Sequence, residues 1–129
     1  NKKLEKLNKI NNHKIKLAKL YDQLLSDKFI KPKKSFNFNN IYHIYPIRYK
    51  NRDKLISFLA KNNIQASCHY PTPPHLQSPL KKFFVKKYPI SEKIHKTVLS
   101  LPISYSHSEK DVKHICKIIN KYLWKEKLL

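Results

Sequence analysis

Cys68-His69-Tyr70-Pro71-Thr72-Pro73-Pro74-His75-Leu76-Gln77-Ser78-Pro79 follows directly on the short segment Ile64 to Cys68, which reads as a strand. Four of these twelve residues are proline. Each one fixes φ and removes a backbone donor, and each pushes the residue before it away from the helical region. The stretch is therefore a stiff loop that ends a strand, and the elements on either side of it set the fold. Stiffness also presents His69, Tyr70, His75 and Gln77 in fixed directions. A surface that holds a small polar ligand benefits, because preorganised groups lose less entropy on binding. The alternative is a proline-rich turn whose rings merely pack.

Working outward, Leu4, Leu7, Ile10, Leu17, Leu20, Tyr21, Leu24 and Leu25 recur at helical spacing and predict a long amphipathic helix over 1–25. Residues 26–40 are polar, contain Pro32 and read as a loop. Ile41 to Tyr49 is β-branched and aromatic and predicts a strand, with Pro46 implying that one side lacks a partner there. Asn51 can cap a helix bearing Leu55, Ile56, Phe58 and Leu59, and Asn62-Asn63 ends it. Beyond the loop, Ser91 is read as the cap of a third helix, and Leu99 to Ile103 as a short extended segment. Ser108-Glu109-Lys110-Asp111 is a capping-box signal opening a last helix with Val112, Ile115, Ile118, Ile119 and Leu123. This order predicts an α+β fold: a two-layer small domain over 26–129, its short, mostly antiparallel sheet covered by helices. The strands near 41–49, 64–68 and 99–103 are expected in one sheet. Leu4, Leu7, Leu17, Leu20 and Leu24 are expected to form an exposed apolar seam.

At 129 residues the chain is one domain or part of one, with a formal net charge of +20 carried almost wholly by lysine. Arg48 and Arg52 are its arginines. Such a charge favours phosphate-bearing partners, although scattered lysines on helices are usually a solvated face. Glycine is absent. That excludes a P-loop and a dinucleotide-binding fingerprint, both of which need close backbone approach to phosphate. Asn-Asn pairs are expected to stand in where φ must be positive. No apolar run reaches the ~18 residues of a membrane span, and no signal peptide is visible. Cys68 and Cys116 form no disulfide pattern, so a reducing, cytoplasmic setting is expected. The first residue is Asn1, which predicts a true start further upstream or a processed one.

Cys68, His69, His75, His114 and Cys116 raise the question of zinc, but they lack paired ligand spacings, so no metal is expected. Cys68-His69 neighbours point to opposite faces of a strand, and His114 and Cys116 diverge on a helix. A Cys–His nucleophile is also disfavoured, since Cys68 has no glycine-rich neighbour and no predicted helix N-terminus beside it. Nucleic-acid binding would call for arginine and exposed aromatics on one face. It remains the alternative reading, as a stand-alone basic module for nucleic acid or acidic partners.

Five blocks carry a resemblance: Ile41-Tyr42-His43-Ile44-Tyr45 to Arg48, Arg52-Asp53-Lys54-Leu55, His69-Tyr70-Pro71 with His75-Leu76-Gln77, Pro89-Ile90-Ser91-Glu92, and Leu99 to Ile103. In order and spacing the chain resembles the C-terminal part of the DegT/DnrJ/StrS sugar aminotransferases. The resemblance implies the small C-terminal domain of a fold-type-I enzyme dependent on pyridoxal phosphate, acting as a homodimer on a nucleotide-linked keto-sugar. It implies that His69, Tyr70 and His75 bind the sugar and that Pro71, Pro73, Pro74 and Gln77 position the loop. It also implies that the Schiff-base lysine lies in a larger, preceding domain. No catalytic residue is then expected in this chain, and no cofactor on the chain alone. The family's glycines near Asn62-Asn63 and Lys86-Lys87 have no counterpart here. A domain that keeps the fold without an activity is the third reading.

Overall fold

In a computed structural model, residues 2–33, 40–83 and 86–126 are described. The chain runs α1 (Lys2–Glu5), α2 (Leu7–Leu24), β1 (Tyr45–Arg48), α3 (Arg52–Lys61), α4 (Pro89–Thr97), β2 (Val98–Leu101) and α5 (Glu109–Glu126). Two single-turn 3₁₀ segments, Pro74–Leu76 and Lys81–Phe83, lie between α3 and α4. The expected α+β class and antiparallel pairing are found. β1 and β2 pair antiparallel in a register that sets Tyr45 opposite Leu101 and Arg48 opposite Val98.

The sheet is smaller than expected, with physical reasons at each end. Of 41–49 only Tyr45–Arg48 is strand, because Tyr42 takes φ 48° and breaks the extended run. Ile64 to Cys68 is not a strand but makes one bridge, Ser67 to Ser100, on the open edge of β2. Asn63 at φ 58° and Tyr70 at φ 56° bracket the segment and leave it little length for a ladder. β2 begins at Val98 and stops before Pro102, whose missing N–H ends the pairing. The far edge of β1 is bridged at Arg48 by Ile30, which fits a strand carrying Pro46. Asn63 takes the left-handed role expected of an Asn-Asn pair.

Alternation along β1 sends Tyr45 and Ile47 into the core, where they meet Leu99 and Leu101 of β2. Leu17, Ala18 and Tyr21 of α2 and Val112, Ile115, Cys116 and Ile119 of α5 complete that core beside Leu55 and Leu59 of α3. Stacked rings tie helix to sheet: Tyr21 and Tyr45 lie 4.7 Å apart. The Tyr21 hydroxyl donates to the Pro102 carbonyl and that of Tyr45 to Asp22. Burial raises both phenols far above the ordinary tyrosine range. The apolar seam predicted on the first helix is covered only at Leu17 and Leu20. Leu17 is fully buried and Leu20 packs on the core, whereas Leu4, Leu7 and Leu24 are exposed.

Local start signals are partly as read. The Ser108 hydroxyl donates to Asp111 at 2.8 Å while the Ser108 N–H meets the same carboxylate at 2.7 Å, the capping box anticipated from spacing. Helix α4 starts two residues before the Ser91 cap expected for it. Pro89 occupies its first turn, where a missing N–H costs nothing, and Glu92 accepts the Tyr88 N–H at 3.1 Å. Asn51 does precede α3, but its side chain caps nothing there and donates instead to Glu126.

Cys116 is buried, and desolvation pushes its thiol up to about 12. The thiolate is the reactive form, so this cysteine is expected to resist alkylation in the native chain and to label only on unfolding. Mass spectrometry of iodoacetamide-treated protein, native against denatured, checks this. Native labelling of Cys116 as fast as in denaturant would contradict the packing.

Candidate functional site

The proline loop is held from below by side chains of neighbouring elements. Cys68, just after the bridge at Ser67, contacts the guanidinium of Arg52, which is buried at the start of α3. The same guanidinium donates to the Val98 carbonyl at 3.0 Å and to that of His95 at 3.4 Å. Its Nε lies 2.5 Å from Asp53 Oδ1, an ion pair by distance that lacks hydrogen-bond geometry. Arg52 thus joins the foot of the loop to the junction of α4 and β2.

At Tyr70 the chain leaves extended geometry. A tyrosine at φ 56° costs roughly 1–2 kcal/mol against its usual backbone states. Such a conformation persists only where the surroundings determine it. Here the His95 ring of α4 donates through Nδ1 to the Tyr70 carbonyl at 2.5 Å, and Pro71 follows with its own fixed φ. The turn leaves the Tyr70 ring 77% exposed. His69, on the other side of the turn, is tied through Nδ1 to the Ser100 hydroxyl at 3.0 Å.

The rest of the loop folds against α4. Pro73 is buried, Pro74 opens a 3₁₀ turn, and the Gln77 amide donates to the Thr72 carbonyl at 3.2 Å, closing the loop on itself. His75 does not share a surface with His69 and Tyr70. Its ring is 6% exposed, packs on Tyr88 at 4.8 Å and bonds Glu92 at 3.2 Å through Nε2. The Tyr88 N–H, then His75, hold the Glu92 carboxyl below the ordinary carboxylate range. The His75 ring thus lies tucked under the loop, between Tyr88 and Glu92.

His69, Ser67 and Ser100 open onto a crevice of about 540 Å³. His43, Asn63, Gln65, His107, Asp111 and His114 also line it, giving a polar wall of imidazoles, amides and one carboxylate. Backbone N–H and hydroxyl of Ser108 hold that carboxylate, Asp111, below its ordinary range. Among the described residues no grouping of three or more His, Cys, Asp or Glu side chains can hold a metal ion. None of the described helices is long and apolar enough to cross a membrane. Sequence reasoning gave no role in the site to Ser100, His95, Glu92 or Arg52, although Arg52, Glu92 and Ser100 stand in blocks that carry the resemblance. Their partners are distant in sequence or are backbone carbonyls, and neither leaves a spacing signal.

This small helix-covered ribbon has counterparts among known proteins. Residues 1–120 match the DegT/DnrJ/EryC1/StrS aminotransferase family, and the chain belongs to that family. A curated relative, the dTDP-3-amino-3,6-dideoxy-alpha-D-galactopyranose transaminase of Aneurinibacillus thermoaerophilus, is 34% identical over 121 residues, which are 93% of this chain and 33% of the relative. The crystal structure of a DegT DnrJ EryC1 StrS aminotransferase from Brucella abortus superposes with a TM-score of 0.87 at 28% identity, covering 94% of this chain and 33% of that one. S. venezuelae DesV, in complex with a ketimine intermediate, shares the fold at a TM-score of 0.87 and 24% identity, over 92% of this chain and 33% of its own. The chain therefore spans about a third of the length of the relatives it matches.

Aminotransferases of this family depend in general on pyridoxal phosphate. Among the described residues every lysine is exposed or half-buried, and none lines the crevice. A Schiff-base lysine is activated by desolvation or a cationic neighbour in a shielded pocket. The described residues do not fit the cofactor.

Proposed function

We propose that this chain is the C-terminal, substrate-contacting portion of an aminotransferase that delivers an amino group to a nucleotide-linked keto-sugar. The observation that carries the reading is the His69-Tyr70-Pro71 turn. It holds a left-handed tyrosine in place with two neighbouring elements and sets His69 in the lining of a crevice of mixed polar and apolar side chains. Strain of this kind collects at ligand sites. His69 and Tyr70 hydrogen-bond the hexose, while Pro71, Pro73, Pro74, His75 and Gln77 shape the loop beneath them.

A dTDP-linked 3-keto-6-deoxyhexose fits the transaminase activity for which the Aneurinibacillus relative is named. Its diphosphate would meet a chain of formal charge +20, which favours anion capture. Pyridoxal phosphate, when bound by the cofactor-carrying portion of such an enzyme, supplies the electron sink for amino transfer. The enzyme works in the cytoplasm as a homodimer, with this domain forming part of the dimer surface.

Two experiments test the reading. Titrated with pyridoxal phosphate, the 129-residue chain gives no single stoichiometric aldimine by absorbance and peptide mapping. One defined internal aldimine on this chain would contradict it. Sequencing the reading frame upstream of Asn1 should find a segment bearing a cofactor lysine. The encoded protein should then aminate a dTDP-3-keto-6-deoxyhexose from glutamate, and an intact, cofactor-loaded protein without that activity would overturn the proposal.

A further inference from the structure

The hydrogen bond between Ser100 and His69 has a defined direction. Ser100 is 5% exposed, and its backbone is fully engaged at this point, donating to Ser67 at 2.7 Å and accepting from it at 3.1 Å. Among the described residues its hydroxyl has one hydrogen-bond partner, His69 Nδ1 at 3.0 Å. A hydroxyl carries one proton, and buried polar hydrogens are almost always paired. If Nδ1 held the ring proton and donated to Ser100 Oγ, the hydroxyl proton would have no acceptor among the described residues and could turn only to the crevice. The satisfied arrangement has Ser100 O–H donating into the Nδ1 lone pair. A neutral imidazole carries one proton, so that proton must sit on Nε2.

We infer that Ser100 is a positioning residue that locks His69 as the Nε2–H tautomer, so that the ring offers the crevice a hydrogen-bond donor. Resting on the proposed reading of this crevice, the inference selects what part of the sugar His69 meets: an acceptor oxygen such as a keto group, an ether or a phosphoryl oxygen. It does not suit a group that can only donate. His95 provides an internal contrast. Its Nδ1 faces the Tyr70 carbonyl, which only accepts, so its Nδ1 must carry a proton. Two histidines flanking one turn are thus held with protons on their Nδ1 and Nε2 atoms respectively, one clasping the backbone and one facing outward.

Two-bond ¹H–¹⁵N NMR of the histidine rings tests this on the chain itself, at about pH 8.5 where ordinary imidazoles are neutral. It needs neither substrate nor cofactor, so its failure is separable from failure of the aminotransferase reading. Wild-type His69 is expected to show a protonated Nε2 and an unprotonated Nδ1. In Ser100→Ala, with the backbone amide signals of Ser67 and residue 100 retained, the His69 pattern should move to the averaged signature of exchanging tautomers. Ser100→Thr, which keeps a hydroxyl, should restore the single form. A protonated Nδ1 on wild-type His69 would overturn the inference, and so would an unchanged ring pattern in a folded Ser100→Ala. Should Ser100→Ala not fold, the wild-type tautomer decides alone.

Discussion

Arg52→Ala is expected to destabilise the domain by about 2–3 kcal/mol, because hydrogen bonds to charged groups contribute about 1.5–3 kcal/mol and a buried carbonyl left unpaired adds its desolvation cost. The guanidinium is 8% exposed and reaches three groups from three places in the chain: Cys68 at the foot of the loop, His95 in α4 and Val98 in β2. Its neighbour Asp53 is mostly exposed, so the ion pair between them adds little. A lysine brings one ammonium and cannot serve divergent acceptors as a planar fork does. Arg52→Lys should therefore recover less than half of the loss. Urea unfolding of wild type and both variants checks this through the midpoint at unchanged slope. The loop amides from Cys68 to Gln77 should lose hydrogen-exchange protection first in Arg52→Ala. Equal stability of the alanine variant would remove Arg52 from the account of how the loop is held.

Leu17→Ala should cost about 3–4 kcal/mol, in the range for a leucine deleted from a packed core, whereas Leu4→Ala should stay within about 0.5 kcal/mol. Both residues belong to one apolar stripe. Leu17 is wholly enclosed where α2 packs against α5, and Leu4 is 63% exposed on α1. The contrast measures where the body of the domain ends along its first helix. Equal costs at the two positions would mean that the stripe is covered along its whole length in solution.

Why that stripe divides was not legible in sequence, since periodicity reports a face and not what lies opposite it. Spacing did reveal Ser108 with Asp111, because both halves of a capping box sit within one turn. Composition also revealed the strand at β1, but not that Tyr45 and Ile47 are the residues it turns into the core. Ile64 to Cys68 was read as a strand from its own residues. Whether a strand persists depends on partners, and here Asn63 and Tyr70 bend the backbone on both sides. In the site, proline spacing gave away the stiff loop with His69 and Tyr70 on it. A tyrosine at positive φ leaves no compositional trace, and neither does the burial of His75. Ser100 and His95 act on partners 31 and 25 residues away, beyond the reach of any local pattern.

The central claim is that the turn at His69 and Tyr70 contacts the sugar. Steady-state kinetics of His69→Ala and Tyr70→Phe in the intact enzyme test it most directly, with the nucleotide sugar varied at saturating amino donor. Each lost hydrogen bond should lower kcat/KM by roughly two- to tenfold, the equivalent of about 0.5–1.5 kcal/mol. The unfolding midpoint should stay unchanged in Tyr70→Phe, because Tyr70 is exposed, whereas His69→Ala should lose about 1 kcal/mol by removing the partner of the buried Ser100 hydroxyl. Wild-type kcat/KM in both variants, each still folded, would reduce the turn to a scaffold and contradict the account.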